Sequence, residues 1–180
     1  MSISGDTPPP RPRVAITPMR PQRSTERVGA VRWAVLGWIV TIALTVVTAV
    51  VVVASLDDIR AVLAADLIRE HPESGTDAGR AVDVSLLVGA GVALVVVVLG
   101  AAGAALLWAG RRSGRTMLAV GALVATAGAV GFHLTVSPSA AGLADAGLPT
   151  PVQWVPAAAA VIALIATGVA FTRAVSASLR

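Results

Sequence analysis

The chain has no cysteine, no tyrosine and no lysine; aromatic residues make up 3% and charged residues 13% of its 180 positions. Without cysteine there is no disulfide, no thiolate nucleophile and no Cys-ligated metal. This removes the four-helix quinone-linked thiol oxidoreductases, the enzyme class that so apolar a chain first suggests. Asp, Glu and Arg are wholly absent from four long runs, 33–56, 84–108, 117–136 and 152–172, so the intramembrane carboxylate of four-helix drug–proton antiporters is missing. The Gly-x-Ser-x-Gly pattern with a partner His is missing as well, as are a Walker loop, a dinucleotide fingerprint and a zinc signature. Nor is there an Asp-x-Asp-x-Asp-Gly loop for calcium. With no convergent set of reactive groups, the chain reads as non-enzymatic, with no catalytic residue, cofactor or metal site.

What is present is hydrocarbon. Apolar residues reach 56%, against about 45–50% in soluble domains, and mean hydropathy is +0.81. The excess sits in the four charge-free runs, of 24, 25, 20 and 21 residues. At ~1.5 Å per residue, each matches a hydrocarbon core of ~30 Å. The expected fold is therefore all-α: a polytopic membrane protein with four transmembrane helices at 33–56, 84–108, 117–136 and 152–172, forming one membrane domain over 33–172. A cleaved signal peptide is the alternative for the first run, with "VVVAS" (51–55) as a passable cleavage site. Its length far exceeds the ~7–15 residues of a signal h-region, which favours an anchor.

All 14 basic residues are arginine, and with the wealth of Ala, Val and Gly this resembles the coding bias of a high-GC bacterial genome. The pI near 11.4 does not indicate nucleic acid, because the charge is segregated by segment rather than gathered on a soluble face. Residues 1–32 carry six prolines, six arginines and two acids, and read as a disordered Pro/Arg-rich tail. "TPPPRPR" within it could serve as a polyproline ligand, and "RSTER" (23–27) places Ser24 and Thr25 among basic residues as a possible phosphorylation switch. Three more arginines, Arg111, Arg112 and Arg115, crowd the connector 110–115, and Arg173 and Arg180 belong to the tail 173–180. In contrast, 57–83 holds seven acids against three arginines. Arginine in short loops marks the cytoplasmic side, so both termini and the 110–115 connector are expected inside. Arg27, Arg32, Arg111, Arg112 and Arg115 then set topology and touch anionic headgroups; a dedicated phosphate-ligand site is the alternative. Trp33 and Trp108 fall at the inner ends of their helices and Trp154 at an outer end, where indoles favour the headgroup layer; Trp38 lies a turn deeper.

The segment 57–83 reads as a short extracytoplasmic helical hairpin between the first two spans. "DDIRAVLAADLIRE" puts Ile59, Val62, Leu63 and Leu67 on one helical stripe, with Asp58, Arg69 and Glu70 away from it. His71–Pro72 ends that helix, and Thr76 or Asp77 is placed to cap a second one running into the next span. "EHPE" (70–73) offers Glu70, His71 and Glu73 as cation ligands, but Pro72 interrupts helical ligand spacing, so a solvated turn is expected. The loop "SPSAAGLADAGLPTP" reads as a spacer.

Within the spans, small residues recur at i, i+4 spacing: Gly121, Ala125 and Ala129 in the third, Gly89 and Ala93 in the second, Ala159 and Ala163 in the fourth. Such stripes let helix backbones approach closely where lipid removes the hydrophobic drive for association, either within the chain or between copies. Thr41, Thr45 and Thr48 line one face of the first span, their hydroxyls available to backbone carbonyls or a partner helix. Pro156 suits a first helical turn. His133 is the one ionisable side chain in a predicted span; near its outer end it is either an interfacial group or a proton, ligand or partner site.

Two stretches, "LDDIRAVLAADLIREHPESGTDAGRAVDVSLLVGAG" (56–91) and "AGRRSGRTMLAV" (109–120), carry a resemblance. The chain resembles uncharacterised four-helix integral membrane proteins of actinobacteria, with a Pro/Arg-rich cytoplasmic tail, an outer Asn/His-Pro turn followed by an acid-bearing helix, and a Gly-Arg-rich loop before the third span. Where those proteins often carry an aromatic after the loop arginines, Ser113–Gly114 stands here. The resemblance implies the fold and a bacterial plasma membrane, and brings no activity. The expected function is a membrane scaffold or accessory subunit that packs with other membrane helices, another protein or itself. The alternative is a small sensor or transport-related module using the acidic outer hairpin or His133.

Overall fold

The computed structural model describes residues 25–70, 78–137 and 153–176, and every regular element among them is helical. In chain order these are α1 (Thr25–Ala54), α2 (Leu56–Glu70), α3 (Ala78–Trp108), α4 (Ser113–Val136), α5 (Val155–Ala170) and the single turn α6 (Arg173–Ser176). Among the described residues three helices are long and apolar enough to cross a membrane: Gly29–Ala54, Gly79–Trp108 and Ser113–Val136. They fit a multi-pass membrane protein. The fourth apolar run forms a helix of 16 residues, ~24 Å long against a hydrocarbon core of ~30 Å. It starts late because Pro156 fixes its first turn. At its far end Phe171 N–H donates to the Thr167 and Gly168 carbonyls and Thr172 N–H to Val169, tightening the last turn.

The other helices are longer than their apolar runs. α1 begins at Thr25, so 25–32, expected in the tail, are helical. No proline follows Pro21 in this stretch, and a nucleated helix gains one hydrogen bond per added residue. α1 and α2 are nearly continuous: Ser55 N–H donates to Val51 and Ile59 N–H to Ser55, each at 3.0 Å. α3 begins at Ala78, six residues before its charge-free run. The expected connector 110–115 shrinks to 109–112, since Ser113 already starts α4.

α1, α3, α4 and α5 form a ring of neighbours, α1 against α3, α3 against α4, α4 against α5, and α5 back against α1. The interior is made of small residues around a few large ones. Ala34, Ala104, Ala122, Ala163, Ala166 and Ala170 are buried with Trp38, Leu107 and Leu118, while Leu36, Val50, Leu87, Leu94, Leu123 and Ile165 are exposed. Large apolar groups outside and alanine inside suit a bundle in lipid, where close packing rather than removal from water brings helices together.

Candidate packing site and arginine rim

Trp38 anchors the packing. It is fully buried, and its Nε1–H donates to Thr167 Oγ1 at 3.2 Å across 129 residues of sequence; Thr167 donates in turn toward the Leu118 carbonyl at 3.4 Å. A buried indole N–H needs such a partner. Glycines give the ring its room: a Cβ at Gly100 would lie 2.7 Å from Trp38 Cε3, and one at Gly121 2.9 Å from Trp38 Cη2. On the next turn, Thr41 Oγ1 donates to Gly37 O at 3.0 Å and reaches toward Ala159 O at 3.4 Å. Thr45 and Thr48 bond back to the carbonyls four residues earlier, so their hydroxyls are satisfied within α1.

α3 and α4 meet backbone to backbone. A Cβ at Gly114 would lie 2.6 Å from Leu107 N and 2.8 Å from Gly103 O; one at Gly103 would lie 2.6 Å from Leu118 Cδ2. The turn that brings them together is a Schellman stop. Gly110 adopts φ 75°, its N–H donates to Leu107 O, and Arg111 N–H donates to Leu106 O, satisfying carbonyls that the end of α3 would leave unpaired.

The connector arginines divide into two kinds. Arg111 and Arg112 are exposed, whereas Arg115, in the first turn of α4, is half-buried. Its Nη2 donates to Ser176 Oγ at 3.0 Å, with a long contact to Thr172 O at 3.5 Å, and its guanidinium lies 5.5 Å from the centroid of the Phe171 ring. Planar guanidinium on an aromatic face adds to the hydrogen bond. Together with fully buried Val175, Arg115 therefore latches α6 beneath the bundle.

Of the small residues singled out from the sequence, Gly121, Ala129, Ala159 and Ala163 are buried, and Ala125 and Ala93 are half-buried. Gly89 is exposed with nothing within 4 Å of a Cβ there; matching spacing does not bring it to a neighbour. Arg32 is exposed, and Arg27 belongs to α1, its side chain outside the described residues. His133 is exposed, its ring 5.5 Å from that of Trp154. Trp33 and Trp108 are exposed too. At the opposite end, α2 packs on the first turns of α3 through buried Ile59 and Val82, with Arg60 Nε 2.8 Å from Asp83 Oδ1. Val62, Leu63 and Leu67 are half-buried on that side, and Asp58 and Arg69 are exposed. His71, Glu73, Thr76, Asp77 and the 138–151 loop lie outside the described residues, as do Ser24 and the polyproline stretch. Gly37, Gly100, Gly103 and Gly114 were not singled out from the sequence as packing residues, nor was Trp38 as a core residue; the signal available was Gly37 beside Trp38, and Gly103 and Gly114 each four residues before a large side chain, Leu107 and Leu118.

No protein-family model, curated protein or solved structure matches the chain.

Proposed function

We propose that the protein is a non-enzymatic scaffold or accessory subunit of a bacterial plasma membrane, with four spans and both termini cytoplasmic. Its arginine-rich end then meets the anionic headgroups of the inner leaflet, and α2 with the start of α3 forms a helical hairpin outside. The asymmetry of charge supports the orientation. The observation that carries the scaffold reading is the acidic-end half of α3. Seven of the eight residues 84–91 are exposed, Leu86 alone being half-buried, and both Gly89 and Gly91 have nothing within 4 Å. The two glycines lie about 200° apart around the helix, so each leaves room on its own face for a second helix to approach closely.

The test is a mild-detergent pull-down of a tagged copy from its native membrane with crosslinking mass spectrometry. A stoichiometric partner crosslinked to 84–91, lost in Gly89→Leu/Gly91→Leu, is the expected result. A solitary chain, or a complex indifferent to that double substitution, would overturn the reading. Gly121→Leu is the wrong probe here, because it strikes Trp38 inside the chain. A sensor role is the second reading, favoured by the exposed His133 ring set against Trp154; it requires His133→Ala to change acid tolerance while the complex stays intact.

A further inference from the structure

The arginine-rich end has cations without described counter-charges. Among the described residues the ion pairs are Arg60–Asp83 and Arg69–Asp66, both at the opposite end. The acids whose side chains are described, Asp57, Asp58, Asp66 and Asp83, all belong to α2 or the first turns of α3. Arg115 is committed to Ser176 and Phe171. It contacts Thr172 O and Ser176 Oγ on either side of exposed Arg173 in the sequence, while exposed Arg111 and Arg112 lie just before it in the chain. The rim lies where the apolar spans end: Trp108 closes one, and Ser113 opens the next. Exposed Trp108 suits headgroup depth.

We propose that Arg111, Arg112 and Arg173 form a binding site for the phosphodiester of an anionic glycerophospholipid, with Arg115 as the positioning residue that brings α6 to it. The proposal rests on the membrane reading above and makes one of its lipid contacts a discrete site. Guanidinium groups bind phosphate oxygens through paired N–H donors. A free phosphate offers the same chemistry, but the helices next to the rim also expose Val120, Leu123, Leu164, Ile165 and Phe171, a surface for acyl chains that only a lipid uses.

The experiment is native mass spectrometry of the full chain in mild detergent, titrated with phosphatidylglycerol and with phosphatidylcholine of equal chain length. Wild type is expected to retain phosphatidylglycerol preferentially. The triple variant R111Q/R112Q/R173Q should lose about a hundredfold in affinity for it, about fivefold for each near-surface arginine, while R60Q/R69Q/R80Q at the other end should keep it. Equal retention of the two lipids, equal loss in both triple variants, or displacement of the lipid by millimolar inorganic phosphate would overturn the proposal. R115K keeps the charge and loses the planar fork. It should raise amide exchange at 172–176 and weaken lipid retention together; unchanged retention with a loosened α6 would remove Arg115 from the site. The assay needs no protein partner, so its failure and the failure of the scaffold reading are separate results.

Discussion

The two ends of the bundle solve the same packing problem differently. At the arginine-rich end the helices close on one another: Leu107, Leu118 and Val175 are fully buried, Gly103 and Gly114 bring two backbones into contact, and Arg115 ties the C-terminal turn in place. At the acidic end, contact between α2 and α3 rests on Ile59, Val82 and one ion pair, and among the described residues nothing lies within 4 Å of a Cβ at Gly89 or Gly91 of α3. In water an uncovered apolar helix would be costly. In lipid it is tolerated. Among the described residues one end is closely packed and the other is open.

The comparison is broken most severely by filling the glycines of the closed end. Gly114→Leu should destabilise the bundle by about 3 kcal/mol or more, because the atoms it meets are backbone and cannot rotate away; thermal or denaturant unfolding in detergent reads this directly. Trp38→Ala should cost about 3–5 kcal/mol through the cavity it leaves, and Trp38→Phe about 1 kcal/mol through the lost hydrogen bond to Thr167. Glycine to alanine then separates the ends by sign. Gly114→Ala should destabilise, whereas Gly89→Ala, with open space around it, should stabilise the isolated chain by about 0.5–1 kcal/mol from helix propensity alone. Equal effects at the two positions would erase the distinction. Smallest of all, Arg60→Gln removes an ion pair whose side chains are 45% and 56% exposed, and its effect should stay below about 1 kcal/mol and fade with salt.

Much of this was legible from sequence, and the misses have physical reasons. Charge-free runs located the helix bodies because lipid excludes ionised groups along their whole length. The ends were harder to place. Ser113–Arg115 and 25–32 look like polar connector and tail, yet helix propagation carries through polar residues when no proline or left-handed glycine stops it; Gly110 is that stop for α3. Small-residue spacing led to Gly121, Ala159 and Ala163, which lie in the interior, and equally to Gly89, which does not. The pattern states which faces permit close approach, while the neighbour is decided by how helices distant in sequence are arranged. Trp38 shows the same limit. The sequence places it only a turn deeper than the interfacial Trp33, and the tertiary fold alone reveals Thr167 beside its N–H and Gly100 and Gly121 around its ring. Likewise, three arginines in one connector read as a uniform topology signal; the fold separates Arg115, turned to Ser176 and Phe171, from exposed Arg111 and Arg112.

The most direct test of the open end is site-specific photo-crosslinking in the native membrane, with a photoreactive residue replacing Leu87 at the acidic end of α3 or Leu123 in α4, side chains of similar exposure at 74% and 70%. The account predicts a discrete protein adduct from position 87 and lipid adducts alone from position 123. Lipid adducts alone from both would contradict it, leaving the uncovered half of α3 as ordinary bilayer-facing surface.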